Sequence, residues 1–234
     1  MSPIRNNLQA VRARIAEAAR TASRNPDEVA LLAVSKTFGA DAVVAAADAG
    51  QRAFGENYLQ EGADKMAEVK RLRPDLLTEW HFIGPIQSNK TRPVAELFDW
   101  VHSVDREKIA RRLSEQRPSS LPPLNICLQV NISGEASKSG APPDDAEHIA
   151  LAIAGLPQLR LRGLMAIPEP AESFDAQRAP FRALRELYER LRGRGLELDT
   201  LSMGMSADLE AAVAEGATIV RVGTAIFGKR DYAK

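Results

Sequence analysis

A chain of 234 residues with 31 Lys and Arg against 31 Asp and Glu has room for one large domain or two small ones, and it has no charge excess of either sign. Nothing in that balance points to a nucleic-acid partner or to an acidic disordered tail. The one cysteine, Cys127 in the apolar run NICLQV, excludes an internal disulfide and a cysteine-based metal cluster, and reads as core. The N-terminal stretch MSPIRNNLQAVRARIAEAAR lacks the apolar segment of a signal peptide, and no run reaches the length of a membrane span. The expectation is a soluble, cytoplasmic protein with no membrane partner.

The first predicted element is a helix over residues 2–24. Ser2 can cap it, Pro3 suits its first turn, and Ile4, Leu8, Val11 and Ile15 form one apolar stripe. Beyond it, short apolar runs alternate with amphipathic ones. The runs are VALLAVSK, RAFGEN, EWHFIG, WVHSVD, NICLQVN, LRGLMAIP, TLSMGMS and IVRVGTAIFG. Between them, ADAVVAAADAG reads as a helix closing on Gly50. FDAQRAPFRALRELYERLRGRG reads as another, with Phe174, Arg178, Phe181, Leu184, Tyr188 and Leu191 on one face and Pro180 either interrupting it or marking its start. ADLEAAVAEG is a short helix ending on Gly216.

Eight strand–helix alternations in one chain of this length predict a (β/α)8 TIM barrel, a single α/β domain over residues 1–234 with an additional N-terminal helix. An open doubly wound sheet is the competitor. It calls for a GxGxxG turn after the first strand, and AVSKTFGA is not one.

In such a barrel the C-terminal ends of the strands carry the chemistry. Lys36 ends the first strand. An ordinary lysine, with a pKa of about 10.4, is neutral at pH 7 in roughly one molecule in a few thousand. Desolvation and neighbouring cations lower that pKa and favour the nucleophilic amine. A lysine so placed forms Schiff bases, with a carbonyl substrate or with pyridoxal 5′-phosphate (PLP); the plain alternative is a surface lysine at a loop start. LSMGMSADLEAA ends the seventh strand and opens a helix, so that Ser202, Gly204 and Ser206 lie where hydroxyls and N–H groups meet an anion. Alternatively Ser206 only caps the helix. Asp208 and Glu210 must then face away from any phosphate. Gly223 and Thr224, after the last strand, complete the pair of loops at which barrels often bind phosphate. Arg221 sits within the last strand and needs a partner, either a carboxylate or a ligand such as the PLP ring nitrogen. His81 and Asn57 stand at two further strand ends, and no metal-ligand spacing occurs among the His, Cys and acidic residues. GTAIFGKR, Gly223 to Arg230, nearly matches a P-loop but has Arg230 in place of the magnesium-binding hydroxyl.

Together AVSK, FGENY, WHFIGPIQSNK, VHSVD, QVNISGEASKSG, GLMAIP, LSMGMSADLEAAV and RVGTAIFG resemble the pyridoxal phosphate homeostasis protein family, whose barrel is similar to the N-terminal domain of alanine racemase. The resemblance implies that Lys36 holds PLP as a Schiff base and that Arg221 faces the pyridine nitrogen. Ser202, Gly223 and Thr224 would hold the phosphate, with Ser206 and the backbone of Met203 and Gly204 close by. Asn57 and His81 would line the pocket. It implies PLP binding, buffering and delivery to PLP-dependent apo-enzymes, without independent turnover and with no catalytic residue of its own. The racemase needs a second domain and a tyrosine base, and neither Tyr58, Tyr188 nor Tyr232 is an obvious substitute. A weak PLP-dependent racemase remains the alternative reading, and a cofactor-free Schiff-base aldolase a further one. A monomer is expected, and Lys138 is a candidate transient PLP carrier.

Overall fold

A computed structural model describes residues 3–134 and 139–228. Ser2, Lys138, Arg230 and Tyr232 lie outside them. In chain order the elements are α1 (Pro3–Thr21), β1 (Ala30–Val34), α2 (Ala40–Asp48), β2 (Ala53–Glu56), α3 (Leu59–Leu72), β3 (Glu79–Phe82), α4 (Thr91–Leu97), β4 (Trp100–Val104), α5 (Glu107–Gln116), β5 (Leu124–Gln129), α6 (Ala146–Ala154), β6 (Leu159–Met165), α7 (Phe174–Gly193), β7 (Thr200–Ser202), α8 (Leu209–Ala214), β8 (Ile219–Val222) and α9 (Thr224–Phe227). Among the described residues, eight parallel strands close in sequence order into a barrel, β8 returning to β1 with Leu32 beside Arg221.

Period-two alternation divides the side chains between two environments. Phe54, Phe82, Val101, Ile126, Leu128, Leu164, Val220 and Val222 point outward into the apolar layer beneath the helices. Their neighbours face the lumen, where Trp100, Cys127 and Met165 form a separate small cluster with His81 stacked on Trp100. Parity puts Lys36 on the same face as Leu32 and Val34, toward the lumen, and puts Ser35 on the helix side.

The additional helix α1 packs Leu8, Val11, Ile15, Ala18 and Ala19 against the barrel. It also reaches the last two βα turns. Asn7 donates to the carbonyl of Ile226 in α9 at 2.9 Å. Arg14 donates to the carbonyl of Ser206 at 2.8 Å and pairs with Glu210.

Two helix expectations need correction. Pro180 neither interrupts nor starts α7. Ser173 caps the helix by accepting from the N–H of Ala176, and the helix runs through the proline. Proline deprives one backbone carbonyl of its partner, and the buried row Phe181, Leu184, Leu187, Tyr188 and Leu191 offsets that loss. Phe174 does not join that row. It is half exposed, with the Arg178 guanidinium over its ring.

Candidate active site

The turn after β1 sets the position of Lys36. Ser35 still pairs as a strand residue, its N–H donating to Gly55, and Phe38 folds back to donate to the Ser35 carbonyl at 3.1 Å. Between them Thr37 adopts φ +69°. A β-branched residue in the left-handed region is strained, at a cost of about 1–3 kcal/mol, and persists only where its surroundings over-determine it. Here they do. Lys65 on α3 is buried and donates to the Ser35 carbonyl at 2.7 Å, to Glu56 at 2.6 Å and to Glu61 at 2.9 Å. The Ser35 hydroxyl donates to Glu56 at 2.6 Å, and the Thr37 N–H donates to Glu61. Burial pushes the Glu56 carboxyl above the usual range, and the Lys65 ammonium opposes that.

Lys36 opens into a cavity of about 320 Å³ at the C-terminal mouth of the barrel. Val34, Phe38, Asn57, Ile83 and Ile167 share its wall with Met205, Ser206, Ala207, Arg221, Gly223 and Thr224. Phe38 stacks on Phe227, with ring centres 5.2 Å apart, and ties the β1 turn to α9. The Oδ1 of Asn57 is buried without a hydrogen-bond partner, a polar group left for a ligand. Gly84 permits the close approach of that residue, since a Cβ there would lie 1.9 Å from the Asn57 carbonyl oxygen. At Gly223 a Cβ would stand 3.0 Å from the Val34 carbonyl oxygen, so the residue keeps the wall thin beside Thr224.

Arg221 is buried on the floor. Its Nη1 donates to the Ser202 hydroxyl at 2.8 Å and its Nη2 to the Ala166 carbonyl at 3.0 Å. Among the described residues no carboxylate forms an ion pair with it, so a structural salt bridge is not its reason for being there. Burial lowers its pKa to about 10, against a small opposing pull from Asp208.

The cavity therefore gathers Lys36, Asn57, Ser206, Arg221, Gly223 and Thr224, and leaves four expected residues out of its lining. His81 is buried in the lumen below, between Glu79 and His102. Ser202 is also beneath the floor, its hydroxyl occupied by Arg221 and His102. Met203 points outward into the apolar layer. Gly204 takes φ +92° against α8, where a Cβ would meet that of Ala212 at 2.4 Å. Ser206 does not cap α8; that position is held by Asp208, whose carboxylate accepts from the Met205 N–H at 2.6 Å. Neither Asp208 nor Glu210 lines the cavity, and Glu210 is paired with Arg14. Tyr58 is exposed at the start of α3, the Tyr188 hydroxyl donates to the Leu198 carbonyl, and neither tyrosine stands in the wall. No group of His, Cys and acidic residues among those described is arranged to hold a metal.

Sequence reasoning assigned no role to Phe38, Gly84, Ile83, His102, Glu56 or Lys65. The motifs FGENY, WHFIGPI and VHSVD contain four of them. The pairing of Lys65 with Glu56 carries no sequence signal beyond a lysine on an apolar helix face.

The family model described as the alanine racemase N-terminal domain matches residues 6–231 of this eight-stranded parallel barrel. Pyridoxal phosphate homeostasis protein of Pseudomonas aeruginosa is 65% identical over 99% of this chain and 98% of its own length. The protein of that name from Escherichia coli is 54% identical over the whole of both chains. PipY of Synechococcus elongatus, solved with PLP bound, is 40% identical with a TM-score of 0.83, covering 96% of this chain and all of its own. Alanine racemase of Corynebacterium glutamicum, at 19% identity and a TM-score of 0.66 over 99% of this chain and 62% of its own, shares the fold. The chain belongs to the alanine racemase N-terminal domain family and, within it, to the pyridoxal phosphate homeostasis proteins.

Proposed function

We propose that this protein binds PLP at the barrel mouth and serves vitamin B6 homeostasis by holding the cofactor and passing it to PLP-dependent apo-enzymes. The observation that carries this reading is the meeting, in one cavity, of the Lys36 amine and a buried Arg221 with which no carboxylate among the described residues forms an ion pair. The group that fits them has an aldehyde for the amine, an acceptor nitrogen for the guanidinium and an anion for Ser206, Gly223 and Thr224. PLP has all three, and when bound it supplies an electrophilic aldehyde and a conjugated ring.

Lys36 would hold the cofactor covalently through its amine, as a Schiff base to the aldehyde. Arg221 would face the ring nitrogen as a donor, and a ring left unprotonated there supplies only a weak electron sink. Asn57 offers its unsatisfied oxygen to a ring substituent. Racemisation requires a proton acceptor on each face of the bound amino acid, and among the described residues no tyrosine lines the cavity to serve as the second. Storage and delivery demand no second base. In our reading the protein acts as a cytoplasmic monomer. No helix among the described residues is long and apolar enough to cross a membrane.

Borohydride reduction of the PLP-loaded protein followed by peptide mapping tests the reading. Pyridoxyl label on Lys36, and loss of visible absorption in Lys36→Ala, are expected. An unlabelled Lys36 in a protein that still binds PLP would refute it.

A further inference from the structure

A chain of hydrogen bonds crosses the barrel lumen from its N-terminal end to the floor of the cavity. Glu79, at the start of β3, is half exposed, and its Oε1 lies 2.8 Å from His81 Nε2. His81 Nδ1 lies 2.9 Å from His102 Nε2 on β4. His102 Nδ1 lies 2.8 Å from the Ser202 hydroxyl on β7, which in turn accepts from Arg221 Nη1.

The chain can be satisfied in one direction. Arg221 has only donors. Ser202 accepts from it and must place its own O–H, and His102 Nδ1 is the acceptor within reach. His102 then carries its proton on Nε2 and donates to His81 Nδ1. His81 likewise carries its proton on Nε2 and donates to the Glu79 carboxylate. The reverse direction leaves the buried Ser202 hydroxyl without an acceptor and requires a protonated Glu79. Both count against it, since stranding a buried donor costs about 1–3 kcal/mol. The His81 hydrogen bond also holds the Glu79 carboxyl below its usual range, and burial, with His81 and Arg221 nearby, pushes His102 well below its ordinary value. The shift at His102 agrees with a neutral imidazole there, and the shift at Glu79 with an anion at the end of the chain.

We infer that Glu79, His81, His102 and Ser202 form a one-way relay that positions the Arg221 guanidinium, making Glu79, at the opposite end of the barrel, a positioning residue for the cofactor ring. Each link aligns the next, because a hydroxyl that donates becomes a better acceptor. Ser202 therefore presents its lone pair to Nη1, while the Ala166 carbonyl holds Nη2. With both anchors taken, the guanidinium plane is fixed before any ligand arrives. The inference rests on the PLP reading for the identity of the ring, but the relay itself is a property of the free protein.

The test has an arm for each. In the PLP-free protein, ¹⁵N–¹H correlation of the imidazoles reads the tautomers directly. Both His81 and His102 are expected with Nε2 protonated and Nδ1 bare. Glu79→Leu should release the single tautomer at His102 and move the Arg221 Nε–H resonance, whereas Glu79→Gln, whose amide oxygen still accepts from His81, should leave both as in the wild type. A proton on Nδ1 of either ring, or a Glu79→Leu spectrum unchanged at His102 and Arg221, overturns the relay. In the loaded protein, Glu79→Leu should shift the visible band in the direction seen for Arg221→Met and weaken PLP binding about three- to tenfold, the equivalent of one hydrogen bond. A band unmoved by Glu79→Leu but moved by Arg221→Met overturns the positioning role. A wild-type protein that takes up no PLP would sink the cofactor reading and leave the imidazole spectra to decide the relay.

Discussion

Lys65 on α3 donates to the carbonyl of Ser35 at 2.7 Å, one residue before the lysine that opens into the cavity. It bonds Glu56 and Glu61 at the same time, so one buried ammonium ties the β1 turn, the end of β2 and the first turn of α3 together. A positive φ at Thr37 is tolerated because the residues on both sides of it are held.

Lys65→Met should destabilise the protein severely. The Glu56 carboxylate would remain buried without its counter-ion, and breaking one partner of such a pair costs about 3–5 kcal/mol. Urea unfolding measures this. Replacing both partners, in Lys65→Met with Glu56→Leu, should recover more than half of the loss in the same assay, since an apolar pair strands no charge.

Arg221→Met should cost the PLP-free protein far less. Burial lowers the pKa of Arg221 from the ordinary arginine value to about 10 in the folded state. A cation with a depressed folded pKa binds fewer protons when folded, so stability from this group rises as pH climbs from about 10 toward the ordinary arginine value, and below that window the charge costs roughly 3 kcal/mol. Methionine removes that cost and gives up two hydrogen bonds from a charged group, worth about 1.5 kcal/mol or more each, so the two effects nearly cancel. PLP affinity should fall at least tenfold, the loss of one charge-assisted hydrogen bond. A variant as severely destabilised as Lys65→Met, by thermal melts of the PLP-free forms, would show that the arginine is structural.

Arg14→Ala should weaken PLP binding several-fold while leaving the cooperative unfolding transition nearly in place. Arg14 is part-exposed and reaches across from α1 to the Ser206 carbonyl and to Glu210. Its removal frees the turn that carries Ser206 without opening the core. Titration calorimetry with PLP and with inorganic phosphate should show the same loss for both, since the anion-binding end is the part disturbed.

Cys127 should be inert in the native protein. It is fully buried in the lumen, and burial pushes its thiol up to about 12. A disulfide reagent at pH 8 should titrate no thiol in native buffer and one per chain in denaturant, and the native-state labelling rate should track global unfolding. Rapid labelling in native buffer would mean that the lumen opens without unfolding.

Much of this architecture is legible along the chain, and the reasons are local. Each strand is short, apolar and ended by polar residues, and parity along VALLAVSK already aims Lys36 at the lumen. Arg221 stands out because a charge within an apolar strand requires an explanation. The residues that fall outside the cavity lining are those whose positions are settled between strands. His81 and Ser202 end strands like Lys36 does, but the stagger of the barrel drops their side chains a layer below the mouth. His102 matters because β3 and β4 bring two imidazoles within 2.9 Å, a contact between residues 21 positions apart. Pro180 was misleading for a different reason: local propensity marks a break, whereas a buried row of five side chains in α7 holds the helix through it.

The cavity rim has its own consequence. Ile167 and Met205 stand at the mouth partly exposed, and no described segment lies across them. On the proposed reading, no described segment has to move for the cofactor to leave, and hydrolysis of one carbon–nitrogen bond is what separates the loaded from the unloaded protein.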